Sequence, residues 1–133
     1  MNFKMPTRPK PSSVIFAKDV GRLAAFYKAV ICMTEIARDK DHVVLECDGF
    51  QLVIHGIPKG VAARIVITTP PEVRKAAAMK ICLPVEAIEQ ARDQAKVLGG
   101  HIDAKGSEWE ARGFRACDGY DPEGNVFQVR EGA

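Results

Sequence analysis

The 133-residue sequence has no apolar run long enough to span a bilayer, so no transmembrane helix is expected within it. Its opening stretch lacks the basic, apolar and small-residue succession of a secretory signal, so a cytoplasmic location is expected. Its four cysteines, Cys32, Cys47, Cys82 and Cys117, form no Cys-x-x-Cys pair. That removes both a disulfide framework and a zinc knuckle, and the thiols read as small core residues. No basic stripe is present either: 19 basic against 17 acidic residues leave a net charge of +2, and nucleic acid is not an expected partner.

What is present is a chain that is 47% apolar, enough to exclude disorder and to build one compact domain. A Pro-rich tail (1–11) carrying Lys4, Arg8 and Lys10 reads as a solvated lead-in. Residues 12–17 (SSVIFA) alternate as a strand. Asp19 is placed to cap a helix over 20–31, with Val20, Leu23, Ala24, Tyr27, Val30 and Ile31 on one face. Strands follow over 34–37, 43–47 and 50–55, and Asp48-Gly49 between the last two is a hairpin turn. This first β-α-β-β-β unit spans 12–57. A connector (58–78), rich in Gly and Pro, contains a strand pattern over 63–68. A second unit (79–133) begins with a strand over 80–85, in which Pro84 implies an unpaired side. A helix over 86–98 stopped by Gly99-Gly100, a strand HIDA, a long loop through Trp109 and a terminal hairpin around Asp121-Pro122-Glu123-Gly124-Asn125 complete it. CDGFQLV (47–53) is echoed by CDGYDPEGNVFQV (117–129), which points to a duplicated unit. The fold class is α+β: two tandem β-α-β-β-β units forming curved mixed sheets around a cup, with the helices outside it.

Strand alternation separates two faces. Ser13, Ile15, Ala17, Leu52, Ile54, Ile81, Leu83, Val85, Phe127 and Val129 make an apolar face for the helices to cover. The opposite face collects Ser12, Val14 and Phe16; Gln51, Val53 and His55; Lys80, Cys82 and Pro84; and Gln128 and Arg130. The two-residue turn pairs Glu46 with Gln51 and adds Glu46 to this face. An apolar cup with a few convergent polar groups has the character of a small-molecule site.

The order of elements, the segment VIFAKDVGRLAAFYKAV (14–30) and the closing DPEGNVFQVRE resemble the vicinal oxygen chelate superfamily of glyoxalase I, bleomycin-resistance proteins and extradiol dioxygenases. The resemblance covers the chain apart from the tail and connector. It implies a metal held by one side chain from the first and last strand of each unit. Those positions are occupied here by Ser12, Gln51, Lys80 and Gln128. Two neutral amides and an ammonium are poor company for a dication, so no metal cofactor is expected at that position. The resemblance also implies a homodimer, with each cup formed either within one chain or from units of both subunits.

The expected function is binding or sequestration of a partly apolar small molecule that is anionic or amide-bearing. Lys80, Gln51, Gln128, Arg130 and His55 would hold it, and Phe16, Val53 and Trp109 would form walls. Trp109 reads equally as a lid, a stacking platform or a loop anchor. Arg115 adds positive potential if its strand register turns it toward Lys80. His42 and His101 read as solvent-exposed. The competing reading is a lyase, isomerase or dioxygenase using one divalent metal through Glu46 and His55. A nucleophilic Cys82 activated by Lys80 is the weaker proposal for chemistry.

Overall fold

A computed structural model of the protein describes residues 8–132; of the tail, residues 1–7 lie outside that range. The first unit comprises β1 (Ser12–Ala17), α1 (Val20–Val30), β2 (Thr34–Arg38), β3 (His42–Cys47) and β4 (Phe50–Gly56). One turn of helix, α2 (Lys59–Ala62), opens the connector. The second unit comprises β5 (Ile81–Pro84), α3 (Ile88–Val97), β6 (His101–Ile102), β7 (Trp109–Ala111), β8 (Phe114–Tyr120) and β9 (Val126–Gly132). Each unit builds a mixed sheet of the same order, β1-β4-β3-β2 and β5-β9-β8-β6, with β7 added beside β8. The first and last strands of a unit run parallel and the other pairs antiparallel.

Local chemistry accounts for most of these elements. The Asp19 carboxylate accepts from the Arg22 N–H at 3.0 Å and caps α1. Asp48 and Gly49 both adopt positive φ, +47° and +78°, as a tight turn between twisted strands demands. Pro84 sits on β5, which is bonded only to β9 and can tolerate a residue with no N–H.

The connector departs from expectation. Residues 63–68 form no strand, and Val66 is 80% exposed. Their alternating pattern has no neighbouring strand to pair with, and the Ile65 N–H instead closes a turn on the Ala62 carbonyl. The strand expected over HIDA shrinks to two residues, and the loop beyond it contributes the short strand β7.

Helix α1 is buried on two sides. Leu23, Ala24, Tyr27 and Val30 face the core as the spacing predicts, and Phe26, outside the expected stripe, is also fully buried. Its ring lies 5.9 Å from Phe127 of the second unit. Helices α1 and α3 touch, and the apolar faces of both sheets contribute to one continuous core that includes Ile15, Leu52, Ile54, Leu83, Phe127 and Val129. Each sheet therefore turns its mixed face away from its helix, and within one chain the two mixed faces do not close on each other. Val14 and Phe16 on the first stay 49% and 61% exposed.

A polar clamp crosses the core. The Tyr27 hydroxyl donates to Asp121 Oδ2 at 2.7 Å. Asp121 also accepts from the Glu123 and Asn125 backbone N–H groups and the Asn125 side-chain amide. The buried Glu123 carboxylate takes the Lys18 and Asp19 N–H groups, each at 2.8 Å, so the β8–β9 turn holds the start of α1. Gly124 lets the connector pass close to the same turn: with φ at +86°, a Cβ there would lie 2.1 Å from the Glu72 carbonyl oxygen. Burial pushes the Asp121 carboxyl above its ordinary range despite the hydrogen bonds that pull the other way.

Tyr27→Phe is expected to cost about 1–3 kcal/mol in urea unfolding, because it removes a donor from a buried carboxylate. The raised Asp121 value favours the folded state most below the ordinary aspartate pKa of about 3.9, and that advantage is lost as pH rises through the folded value. Relative to Asp121→Asn, the stability of the native chain should thus fall with rising pH and then level off. A stability difference that is flat or opposite in slope would refute this assignment.

Candidate functional site

The mixed face of the second sheet is organised by the β8–β9 register, which pairs Asp118 with Gln128 and Ala116 with Arg130. The Lys80 ammonium meets Asp118 Oδ2 at 3.0 Å. The Gln128 side chain is buried between charges: its Nε2 donates to Asp118 Oδ1 at 3.3 Å, and its Oε1 accepts from Arg130 Nε at 2.8 Å. The Arg130 guanidinium lies 4.4 Å from the centre of the Phe114 ring, and Arg112 lies 5.1 Å from the same ring. One acidic group, Asp118, thus stands among Lys80, Arg112 and Arg130, and the cluster keeps a positive excess. Trp109 pairs with Ala116 through β7, so it shares this face and remains 39% exposed. It is the first residue of β7 and not a loop residue.

On the first sheet, β1-β4-β3 pairing aligns Ser12 with Gln51 and Glu46, Val14 with Val53 and Val44, and Phe16 with His55 and His42. One end of this face is polar. Gln51 Nε2 donates to Glu46 Oε1 at 3.0 Å, and Lys10 bonds the same oxygen at 2.9 Å. These contacts, Gln51 first, hold the Glu46 carboxyl below its usual value. The middle is apolar. The other end is a row of rings, with Phe16 and His55 at 5.8 Å and His55 and His42 at 6.0 Å.

The structure thus brings together Lys80, Gln128 and Arg130 with Trp109 on one sheet, and Gln51, Val53, Phe16 and His55 on the other. It does not bring Glu46 and His55 together. Their cross-strand positions are four residues apart along β4, about 13 Å at strand rise, so the two-residue metal site fails on register. Arg115 is also corrected: it pairs with Glu131 and bonds Glu108 and Glu110, on the side of the sheet away from Lys80. His42 opens β3 and is only partly exposed, because it is paired to His55. Cys82 faces Gln128 across the sheet, while the Lys80 ammonium is directed to Asp118 and gives the thiol no activating contact.

Phe114, Arg112 and Asp118 were missed by the sequence reading. A register counted outward from the Asp-Pro-Glu-Gly-Asn turn would have placed Asp118 opposite Gln128.

The positions at which the resemblance places metal ligands do not fit a dication. Ser12 offers a hydroxyl, and the Gln51 amide is tied to Glu46. Both ends of the Gln128 amide are occupied by charged neighbours, and Lys80 brings a cation. Among the described residues no three His, Cys, Asp or Glu side chains come together as a metal-binding group, and no helix is long and apolar enough to cross a membrane.

Comparison with known proteins agrees with the fold. A family model described as glyoxalase-like domain matches residues 12–130. A glyoxalase/bleomycin resistance protein/dioxygenase family enzyme from Burkholderia phytofirmans superposes with a TM-score of 0.62 at 19% identity, covering 92% of this chain and 97% of that one. The fosfomycin resistance protein FosX from Listeria monocytogenes, complexed with Mn(II) and 1S,2S-dihydroxypropylphosphonic acid, gives 0.64 at 15% identity over 97% and 93%. A bleomycin resistance determinant encoded on the transposon Tn5 gives 0.57 at 18% identity over 92% and 97%. No curated protein sequence matches the chain.

Proposed function

Since the chain belongs to the glyoxalase-like domain family, we propose that it binds a partly apolar, anionic small molecule, and does so without a metal at the superfamily's ligand positions. The observation that carries this reading is the cluster on the second sheet, where Lys80 and two guanidinium groups stand on one open face with Phe114 and Trp109. A carboxylate or phosphonate would meet Lys80 and Arg130, and an attached ring or chain would lie along Phe114 and Trp109. Gln128 links Asp118 to Arg130 and sets the direction of the guanidinium before any ligand arrives. The structural neighbour captured with a phosphonic acid supports a small anion as the ligand class.

A single chain leaves this face without an opposing wall. The mixed face of the first sheet, with Phe16, Val14, Val53, Gln51 and His55, supplies a matching one in a second copy. A two-fold dimer would create two such cups by the same contact, and the exposure of Phe16 at 61% marks apolar area left for a partner. The role in keeping with this reading is sequestration or carriage; among the described residues no nucleophile and base stand together on either face.

Titrating aromatic carboxylates against Trp109 fluorescence tests the ligand class. Arg130→Gln and Lys80→Gln should each weaken binding about tenfold or more, the effect of losing a charge-assisted hydrogen bond. Equal affinity for the matching carboxamides would sink the anionic reading. Sedimentation should show a dimer that Phe16→Glu converts to monomer; a native monomer across the micromolar range would remove the second copy from the site.

A further inference from the structure

The row of rings on the first sheet, beyond walling the cup, pairs two imidazoles, His42 and His55. His55 Nδ1 lies 2.8 Å from the Gly56 carbonyl oxygen. A carbonyl can only accept, so that nitrogen carries a proton, and in the neutral form of the ring Nε2 is the free lone pair. His42 has the same tautomer for a parallel reason. Its Nδ1 lies 2.8 Å from Asp39 Oδ2, while Asp39 Oδ1 accepts from the Asp41 and His42 N–H groups at 2.7 and 2.9 Å. Those contacts fix the Asp39 carboxylate in place. The two residues are direct cross-strand partners, and their rings lie nearly parallel, 11° apart in plane.

Cross-strand partners root their side chains about 4.5–5.5 Å apart at Cβ, close enough for two imidazoles to reach one ion. Each ring also has its far nitrogen bound to a carboxylate or a backbone carbonyl, the supporting arrangement that orients metal-binding histidines and raises their basicity. We propose that His42 and His55 form a two-histidine site for a late first-row divalent cation, bound through both Nε2 atoms on the mixed face of the first sheet. Imidazole favours zinc, nickel and copper over magnesium or calcium. With two protein ligands, the remaining positions belong to water or to a bound molecule.

This site is separate from the superfamily's ligand positions, since His55 lies four residues along β4 from Gln51, about 13 Å. A cation at about 2.1 Å from each nitrogen requires the two Nε2 atoms within roughly 3–3.5 Å of each other. The rings, 6.0 Å apart at their centres, must therefore rotate inward, and binding exchanges their stacking for coordination.

Calorimetric titration of the untagged full chain with Zn²⁺ or Ni²⁺ in a non-chelating buffer tests the proposal. One cation per chain is expected. His42→Ala and His55→Ala should each abolish binding, and Asp39→Asn should weaken it about tenfold through loss of the orienting carboxylate. His101→Ala is the control, because His101 bonds Asp103 but has no second imidazole partner across the sheet; it should bind as the native chain does. No binding at sub-millimolar cation, or binding that survives both His42→Ala and His55→Ala, overturns the site. A second readout does not depend on the variants folding. Nitrogen NMR of the native chain should show Nε2 of both residues unprotonated and shifted on adding Zn²⁺, and a protonated Nε2 without metal would equally overturn it.

Discussion

The buried carboxylates of the β8–β9 turn are the constraint on which the architecture depends. Asp121 and Glu123 leave water at a cost that only hydrogen bonding can offset. Their partners are the Tyr27 hydroxyl, the Asn125 amide and backbone N–H groups, two of them at the entry to α1. Satisfying these oxygens fixes α1 against the second unit, and that position brings Phe26 onto Phe127. The shared core follows, and with it the outward orientation of both mixed faces. A turn that the sequence marks by its Pro, Gly and Asn thus also serves as the fastener between two halves.

Much of the fold was legible because local signals and the global arrangement agree. Asp19, Asp48-Gly49 and Gly99 each marked a boundary through backbone chemistry, Pro84 marked a strand with an unpaired side, and strand alternation separated core from open face. The connector was illegible because a period-2 pattern states only that a segment could pair, not that an edge is available to it. Phe26 was overlooked because one apolar stripe describes a helix covered on one side, whereas α1 is covered on two.

The site was legible by face but not by neighbour. Lys80, Gln128 and Arg130 were assigned correctly to one face, yet alternation says nothing of position along a strand. Glu46 and His55 therefore looked like partners when they occupy opposite ends of the sheet, and Arg115 remained undecided until pairing with Glu131 turned it away. The charge cluster needed the β8 register, which places Asp118 beside Lys80. Solved structures under 20% identical to this chain share its fold, and a shared fold does not fix the chemistry at a strand position.

The Glu123 contacts to Lys18 and Asp19 span 105 and 104 residues of sequence, and Tyr27 reaches 94 residues to Asp121. Such contacts close loops nearly as long as the chain, so their entropic cost falls before their enthalpy is gained. On a ribosome the first unit would wait, its helix covered on one side only, until the β8–β9 turn had emerged. A nascent chain stalled short of that turn would expose Phe26 and Tyr27 to whatever apolar surface is nearest.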